Sequence, residues 1–399
     1  MKEKVVLAFS GGLDTSFCAK YLAAERGLEV HAALVDTGGF KVEEVEQIEA
    51  RARSLGVASF VCLNEVENFY RKCIRYMIFG NVLRNQTYPL SVSAERVFQA
   101  LAVVNYAKKI GAKYLAHGST GAGNDQVRFD LVFQIAAPDR EILTPIRDLR
   151  LSRQAEIEYL QQHGIEGNWE KARYSINQGI WGTSVGGKET LTSHLPLPEE
   201  AFPSQLEAKE PQTIALAFSK GEPVAINGES HGGSVGVIKA LNQLGSRYAI
   251  GRDIHVGDTI IGIKGRVGFE APAALIIIKA HHALEKHVLT KWQAYWKEQL
   301  SNWYGMMLHE GQYLEPLMRN IEVFLEDSQQ NVSGEVYVKL MPYRFEIQGI
   351  RSPHDLMAAR FGQYGEMNNA WTGEDVKGFT KIISNQMKIY FQVNGIDQH

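Results

Sequence analysis

An uninterrupted apolar run, Val5-Val6-Leu7-Ala8-Phe9, passes directly into Ser10-Gly11-Gly12-Leu13-Asp14-Thr15-Ser16 and then into the helix-like Phe17-Cys18-Ala19-Lys20-Tyr21-Leu22. This order constrains the chain more than any other feature. A buried strand that turns through two glycines into a helix start leaves the first helical N–H groups without intrahelical partners, facing whatever sits before them. The glycines let backbone approach a ligand closely. The hydroxyls of Ser10, Thr15 and Ser16 add donors, so the stretch suits a phosphate. It matches neither of two familiar phosphate loops: G-x-x-x-x-G-K-[ST] needs a lysine that is missing here, and the spacing of G-x-G-x-x-G is absent. The plain alternative is a glycine turn with hydroxyl caps, and the arrival of strand, turn and helix in that order disfavours it.

A chain of 399 residues with 45% hydrophobic and 22% charged residues buries a large core and divides into two domains, or one large and one smaller. Its net charge of −3 supplies no broad basic field for nucleic acid. Met1-Lys2-Glu3-Lys4 precedes too short an apolar run for a signal peptide, and no uncharged apolar stretch of about eighteen residues exists, so a cytoplasmic protein without membrane partners is expected. Cys18, Cys62 and Cys73 form no C-x-x-C pair and are read as buried free thiols.

Apolar strands alternate with amphipathic helices through the first part of the chain. Val30–Val35 and Ala58–Leu63 read as buried strands, with a helix over 42–55 between them that Gly56 closes. A helix over 93–110 ends at Gly111, and a strand over 113–117 runs into a glycine-rich segment. This alternation predicts an α/β fold with a doubly wound parallel sheet. The loops at Ser10, Asp36 and Gly118 then converge on one crevice beyond the carboxyl ends of the strands.

After a helix over 152–163 the pattern changes. Strands are expected at 213–218, 222–227 and 259–265, a largely helical stretch at 274–307, and a hairpin at 336–350, giving a second, α+β domain. Trp292, Tyr295 and Trp296 read as core or subunit interface. An amphipathic helix over 373–393 reads as an oligomerisation arm. The expected division is a nucleotide-binding domain at 1–165, an α+β synthetase domain at 166–365 and a C-terminal helical arm at 366–399.

A second motif follows the strand at 113–117: His117-Gly118-Ser119-Thr120-Gly121-Ala122-Gly123-Asn124-Asp125-Gln126-Val127-Arg128-Phe129. Its glycines admit a close ligand. Asn124 offers a donor and an acceptor, Asp125 accepts from an ammonium, and Arg128 forks onto a carboxylate or polarised oxygen. Alone, it could equally be a glycine turn followed by a capped, solvated helix start.

The first loop resembles the PP-loop of ATP pyrophosphatases. Taken with the second, the chain resembles argininosuccinate synthase, whose hallmark pair stands here at Ala8 to Ser16 and Gly118 to Phe129. The likeness is dense over 4–165 and thinner beyond. It implies an ATP-dependent ligase that joins citrulline to aspartate, releases AMP and pyrophosphate, and works as a homotetramer. By the same resemblance Ala8, Phe9, Ser10, Gly11, Gly12, Leu13, Asp14, Thr15, Ser16, Val35, His117 and Gly118 would hold ATP, with Mg2+ sharing the phosphate charge and no dedicated protein metal site. Thr120, Asn124 and Asp125 would hold aspartate; Tyr88, Ser93, Asn124, Arg128, Ser175 and Ser184 would hold citrulline. Ser10, Asp14, Asp125 and Arg128 would take the catalytic roles. The rival readings are another PP-loop adenylating enzyme and a non-catalytic adenine-nucleotide sensor.

The chain also departs from the family's pattern. It has Ala122 where lysine is usual, Asn177 for Asp, Gly179 for Asn, Gly186 for Glu, Gly257 for Glu and Phe269 for Tyr. The last two relatives' groups contact the amino-acid end of citrulline, so their loss points to a citrulline whose α-amino group is acylated. The glycines at 179, 186 and 257 are expected to leave room for the acyl group, and Lys188 to meet a succinyl carboxylate.

Overall fold

A computed structural model describes residues 2–167, 169, 174–358, 365 and 370–395. These fall into two compact units, divided between His354 and Asp355.

The first unit begins with five strands, β1 (Lys4–Ala8), β2 (Glu29–Asp36), β3 (Ser59–Asn64), β4 (Tyr114–Ala116) and β5 (Glu141–Leu143). All pair in parallel, in the order β3-β2-β1-β4-β5. The inner strands are apolar at nearly every position because helices cover both faces, which hides the alternation that marks a one-sided sheet. Leu13–Ala24, Val42–Ser54, Glu95–Ile110 and Asp125–Ala136 are helices, and the strand order reverses between β1 and β4. This is the doubly wound α/β fold read from the sequence. Between β3 and Glu95 lies a helical stretch the sequence reading left unassigned: Val66–Phe69, a π-helical Tyr70–Ile74, and Arg75–Phe79. Its buried Phe69, Cys73, Ile74, Met77, Ile78 and Phe79 join the core that continues into the α+β region.

Eight further strands follow: β6 (Ser175–Gly179), β7 (Gly182–Gly186), β8 (Gln212–Ser219), β9 (Glu222–Ile226), β10 (Arg252–Asp258), β11 (Lys264–Glu270), β12 (Gly334–Met341) and β13 (Arg344–Arg351). They make two antiparallel sheets, β10-β11-β7-β6 and β13-β12-β8-β9. Three expectations are corrected here. Residues 259–263 form the turn joining β10 to β11, because the Thr259 hydroxyl donates to the Ile263 carbonyl at 2.8 Å and accepts from its N–H at 2.9 Å. The largely helical stretch is present as two helices, Pro272–Val288 and Lys291–His309, separated where Leu289 turns extended and Thr290 caps the second. Trp292, Tyr295 and Trp296 are exposed, so they are not core, and Cys62 is exposed on the edge strand β3 while Cys18 and Cys73 are buried.

The β6–β7 hairpin sits directly over the end of β2. Ile180 N–H donates to the Thr37 carbonyl at 2.9 Å, and the buried Trp181 indole donates to the Pro89 carbonyl at 3.0 Å. Gly39 is required by this approach, since a Cβ there would strike the Gln178 carbonyl. The hairpin thereby becomes a wall over the carboxyl ends of β1, β2 and β4.

The second unit contains helices Gly373–Ile383 and Asn385–Asn394. They replace the single helix expected there, with Ser384 between them. Phe379, Ile382, Ile383, Met387, Ile389 and Tyr390 are exposed. The boundary expected at 365/366 lies in a stretch, 359–369, mostly outside the described residues. Among the described residues no helix is long and apolar enough to cross a membrane.

Candidate active site

In an open doubly wound sheet the ligand crevice lies where the strand order reverses. Here that point, between β1 and β4, opens into a crevice of about 1000 Å³. Its walls take in Ala8, Phe9, Ser10, Gly12, Leu13, Asp14, Thr15 and Val35 from the first two strand ends, and His117, Gly118, Thr120, Asn124, Asp125 and Arg128 from the fourth. Tyr88, Ser93, Ser175 and Ser184 complete it. Of the expected site residues, Gly11 and Ser16 do not line it. Gly11, with φ +76°, turns the chain and gives its carbonyl to Arg51 Nη1 at 2.6 Å; Ser16 is fully buried, so its hydroxyl is not presented to the crevice.

Gly12 caps the helix Leu13–Ala24 with no side-chain partner, and the first helical bond reaches only Ser16 N–H. The N–H groups of Leu13, Asp14 and Thr15 precede it, so they open on the crevice as the donor set an anion needs. The hydroxyls of Ser10 and Thr15 lie 3.4 Å apart at the same mouth. Burial first, and then the Asp14 carboxylate, pushes the Glu156 carboxyl above its usual range. Among the described residues no three His, Cys, Asp or Glu side chains are grouped to hold a metal.

The loop after β4 is pinned from behind. Gln126 Nε2 donates to the carbonyls of Gly121 (2.6 Å) and Gly123 (3.2 Å), and its oxygen accepts from Arg147. Asp130 bridges Arg147 (2.6 Å) and His117 Nε2 (2.9 Å), while His117 Nδ1 accepts from Ser119 N–H, which assigns the imidazole proton to Nε2. Asn124 Oδ1 accepts from Ile260 N–H at 2.9 Å, tying this loop to the β10–β11 turn.

Asp125 stands between two guanidiniums, Arg96 Nε and Arg128 Nη1, each at 2.9 Å. Burial alone would raise its pKa, but Arg96 and then Arg128 hold it below the usual carboxylate range. Arg128 is itself fixed by two bonds to the His309 carbonyl, at 3.0 and 2.8 Å. Arg96 also reaches Glu95 (3.1 Å) and Asn177 (3.1 Å). Burial pushes Glu95 up to about 7 against the opposing pull of Arg96 and Thr37. The sequence reading missed Glu95, Arg96, His255, Arg266 and His309, all of which line the crevice. Glu95 and Arg96 open a helix, where charges ordinarily read as solvated caps.

The departures from the family's pattern resolve unevenly. The space released at Gly179 is filled by the Glu95 carboxylate, and that at Gly257 by the His255 imidazole, whose Nε2 would lie 2.6 Å from an added Cβ. At Gly186 an added Cβ would make ordinary contact with Ser175 at 3.9 Å, and Gly186 is not among the residues lining the crevice. Phe269 is fully buried behind Tyr88, Ala122 is exposed off the crevice, and Lys188 is exposed and lines no part of it. The expectations of acyl room at 179 and 257 and of a cation at Lys188 are therefore corrected: side chains of this chain already occupy the first two spaces, and Lys188 stands outside.

Comparison with known proteins agrees with this architecture. The family described as "Arginosuccinate synthase N-terminal HUP domain" matches residues 4–166, and "Arginosuccinate synthase C-terminal domain" matches 174–390. The chain is 38% identical over 391 residues to the argininosuccinate synthase of Dictyoglomus turgidum, covering 98% of each chain. It is 37% identical to that of Xanthomonas campestris pv. campestris, covering 98% of this chain and 99% of the other, and 37% identical to that of Methanocaldococcus jannaschii, covering 92% and 93%. With both family domains matched in order and relatives alike over nearly their whole length, the chain belongs to the argininosuccinate synthase family.

Proposed function

We propose that the chain is an ATP-dependent carbon–nitrogen ligase of arginine biosynthesis that condenses a citrulline, free or Nα-acylated, with L-aspartate and releases AMP and pyrophosphate. The observation that carries this reading is the meeting, at one switch point, of the Ser10–Thr15 donor loop with Asn124, Asp125 and Arg128.

A ureido carbon is a poor electrophile, so its oxygen must first become a leaving group. In the proposed first step the ureido oxygen attacks the α-phosphorus of ATP, the bond to the β-phosphate oxygen breaks, and a citrullyl-adenylate forms. The N–H groups of Leu13, Asp14 and Thr15, with the Ser10 and Thr15 hydroxyls, take the charge that builds on the departing pyrophosphate. Mg2+ supplies further neutralisation when bound beside Asp14. In the second step the aspartate ammonium first gives a proton to solvent. The free amine then attacks the ureido carbon, AMP departs with the former ureido oxygen, and the attacking nitrogen passes a proton to the departing phosphate or to solvent, leaving a guanidinium. Asp125 receives the ammonium form of aspartate with Thr120 and Asn124 beside it, and Arg128 orients the citrulline with Tyr88, Ser93, Ser175 and Ser184. Positioning and preorganised charge carry most of the rate.

The reading extends to a homotetramer in the cytoplasm, divided into the nucleotide-binding, synthetase and arm segments expected from sequence. The exposed apolar side chains on Gly373–Ile383 and Asn385–Asn394 support an arm that packs on another subunit. Pyrophosphate release that requires ATP, aspartate and a citrulline together tests the function. Release with a different acceptor identifies another PP-loop adenylating enzyme, and nucleotide binding without release with any acceptor identifies a sensor.

A further inference from the structure

The wall of the crevice formed by β10 and the end of helix Lys291–His309 carries buried donors that nothing among the described residues accepts. His309 is 7% exposed, and its Nδ1 accepts from Arg128 Nη2 at 3.4 Å. A neutral ring with Nδ1 accepting keeps its proton on Nε2. That Nε2 is buried with no hydrogen-bond partner; the main chain of Asp258 lies near it but outside hydrogen-bond geometry. His255, 5% exposed, stacks on Tyr88 with ring centres 5.2 Å apart, and its Nδ1 is likewise buried and unpartnered. In the turn before Tyr88, Arg84 has a buried Nε without a partner, and Asn85 Nδ2 binds the Val256 carbonyl at 3.2 Å, which holds this turn against β10. Burial, with the Arg84 charge adding to it, lowers both imidazole pKa values, so the two rings are neutral. His255, with neither ring nitrogen bonded among the described residues, is free to carry its proton on Nδ1 towards an anion.

Among the described residues no carboxylate at this wall is left for a citrulline ammonium, Asp125 being the partner proposed above for the aspartate amine. Asp125 is held by Arg96 and Arg128, Glu95 by Arg96 and Thr37, and Asp258 by Lys264 at 2.6 Å. Buried donors grouped around a cation are complementary to a carboxylate. They are the wrong partners for an ammonium, which brings three more donors and a like charge.

We propose that His255 and His309, with the Arg84 charge behind them, form a carboxylate-binding subsite for the end of the substrate remote from its ureido group, and that the substrate class is an Nα-carboxyacyl citrulline such as Nα-succinylcitrulline. This rests on the ligase reading above for the ureido end, and deepens it at the other end. It also accounts for Gly257: residues 255 and 257 project from the same face of β10, and only glycine at 257 leaves the His255 ring its place.

Calorimetry of Nα-succinylcitrulline, Nα-acetylcitrulline and citrulline, each with α,β-methylene-ATP present, tests the subsite independently of turnover. A charge-assisted contact of this kind is worth about 10- to 100-fold. The succinyl compound is expected to bind the unaltered protein about 10- to 100-fold more tightly than the acetyl compound, and citrulline more weakly than either. In His255→Ala and Arg84→Gln the succinyl-to-acetyl ratio is expected to fall towards one. A ratio is unaffected by a misfolded fraction, which lowers both signals together. Tight, His255-dependent binding of the succinyl compound, with no pyrophosphate released when ATP and aspartate replace the analogue, upholds the subsite and overturns the ligase reading. Citrulline binding as tightly as the succinyl compound, or a ratio unchanged in both variants, overturns the subsite whatever the turnover.

Discussion

Glu95 offers a way to measure how strongly the crevice is built against its own stability. The side chain is 1% exposed, accepts from the Thr37 hydroxyl at 2.8 Å and from Arg96 at 3.1 Å, and is pushed by burial up to about 7 from an ordinary value of 4.5. Its folded-state pKa is thus raised, so between about pH 4.5 and about pH 7 the native chain holds a proton that the unfolded chain has lost. Stability falls as pH rises through that window and then levels off. At about 1.4 kcal/mol for each unit between the two values, the loss is about 3 kcal/mol. Glu95→Gln removes this titration and keeps an oxygen for Thr37. Urea unfolding of both proteins from about pH 5 to about pH 8 is expected to show the variant gaining about 3 kcal/mol on the parent across the range. Any constant cost of the amide cancels in the slope, as do Glu156 and Glu322, which titrate in both. Parallel stability curves would refute the reasoning and mean that Arg96 keeps Glu95 ionised at its ordinary pKa.

Gly12→Ala is expected to melt as the parent does, since φ is −73° and the nearest atom to a new Cβ is Ser10 Oγ at 3.6 Å, yet to lose about 100-fold in kcat by displacing a bound phosphate by about 1 Å. Retained turnover would reduce the loop to a turn. Asp125→Asn is expected to raise the KM for aspartate far more than that for ATP and to leave pyrophosphate–ATP exchange intact; because it strips Arg96 and Arg128 of a shared, 41% exposed carboxylate, it also costs about 1–3 kcal/mol in urea unfolding. Exchange and aspartate dependence falling together would assign Asp125 to adenylation. Gly179→Ala is expected to destabilise by about 1–3 kcal/mol through collision with the Glu95 carboxylate, and the cost is expected to vanish in a Glu95→Ala background; additive costs in that double-mutant cycle would show the two positions to be uncoupled.

Four of the five strands of the parallel sheet were legible because each is a short apolar run bounded by turn residues, while the three-residue β5 was missed; the two loops were legible because glycines and hydroxyls fell directly after such runs. The second half was less legible for local reasons. The turn at 259–263 is as apolar as a strand, Ile260, Ile261 and Ile263 included, and what bends it is one hydroxyl bonding across four residues. Leu289 and Thr290 interrupt a helical pattern without glycine or proline; the capping box of Thr290 with Gln293 was the available signal. The stretch Val66–Phe79 carried a helical signal that the sequence reading overlooked: its buried Val66, Phe69, Tyr70, Cys73, Ile74, Met77 and Ile78 recur at helical spacing, with exposed Glu67, Arg71 and Lys72 between them. Within the site, Arg96 and Glu95 were invisible because their partners, Asp125, Asn177 and Thr37, come from three other elements.

The glycines at 179 and 257 show why a departure from a family's pattern is misread when taken one position at a time. Each looks like a vacancy in the sequence, and each is filled by a polar side chain that the sequence places elsewhere: Glu95 from the start of a helix in the nucleotide-binding half, His255 from two residues earlier on the same strand. A carboxylate and an imidazole are both costly to bury without partners, so neither fills space passively. Glu95 meets that cost through Thr37 and Arg96, and by holding Arg96 it helps fix Asp125. Among the described residues His255 has its stacking on Tyr88 and no hydrogen-bond partner for its buried Nδ1, and it lines the crevice. The first substitution is complete within the chain and is accordingly structural. The second is incomplete within the described residues, and on the carboxylate-subsite proposal the group that completes it comes from the ligand.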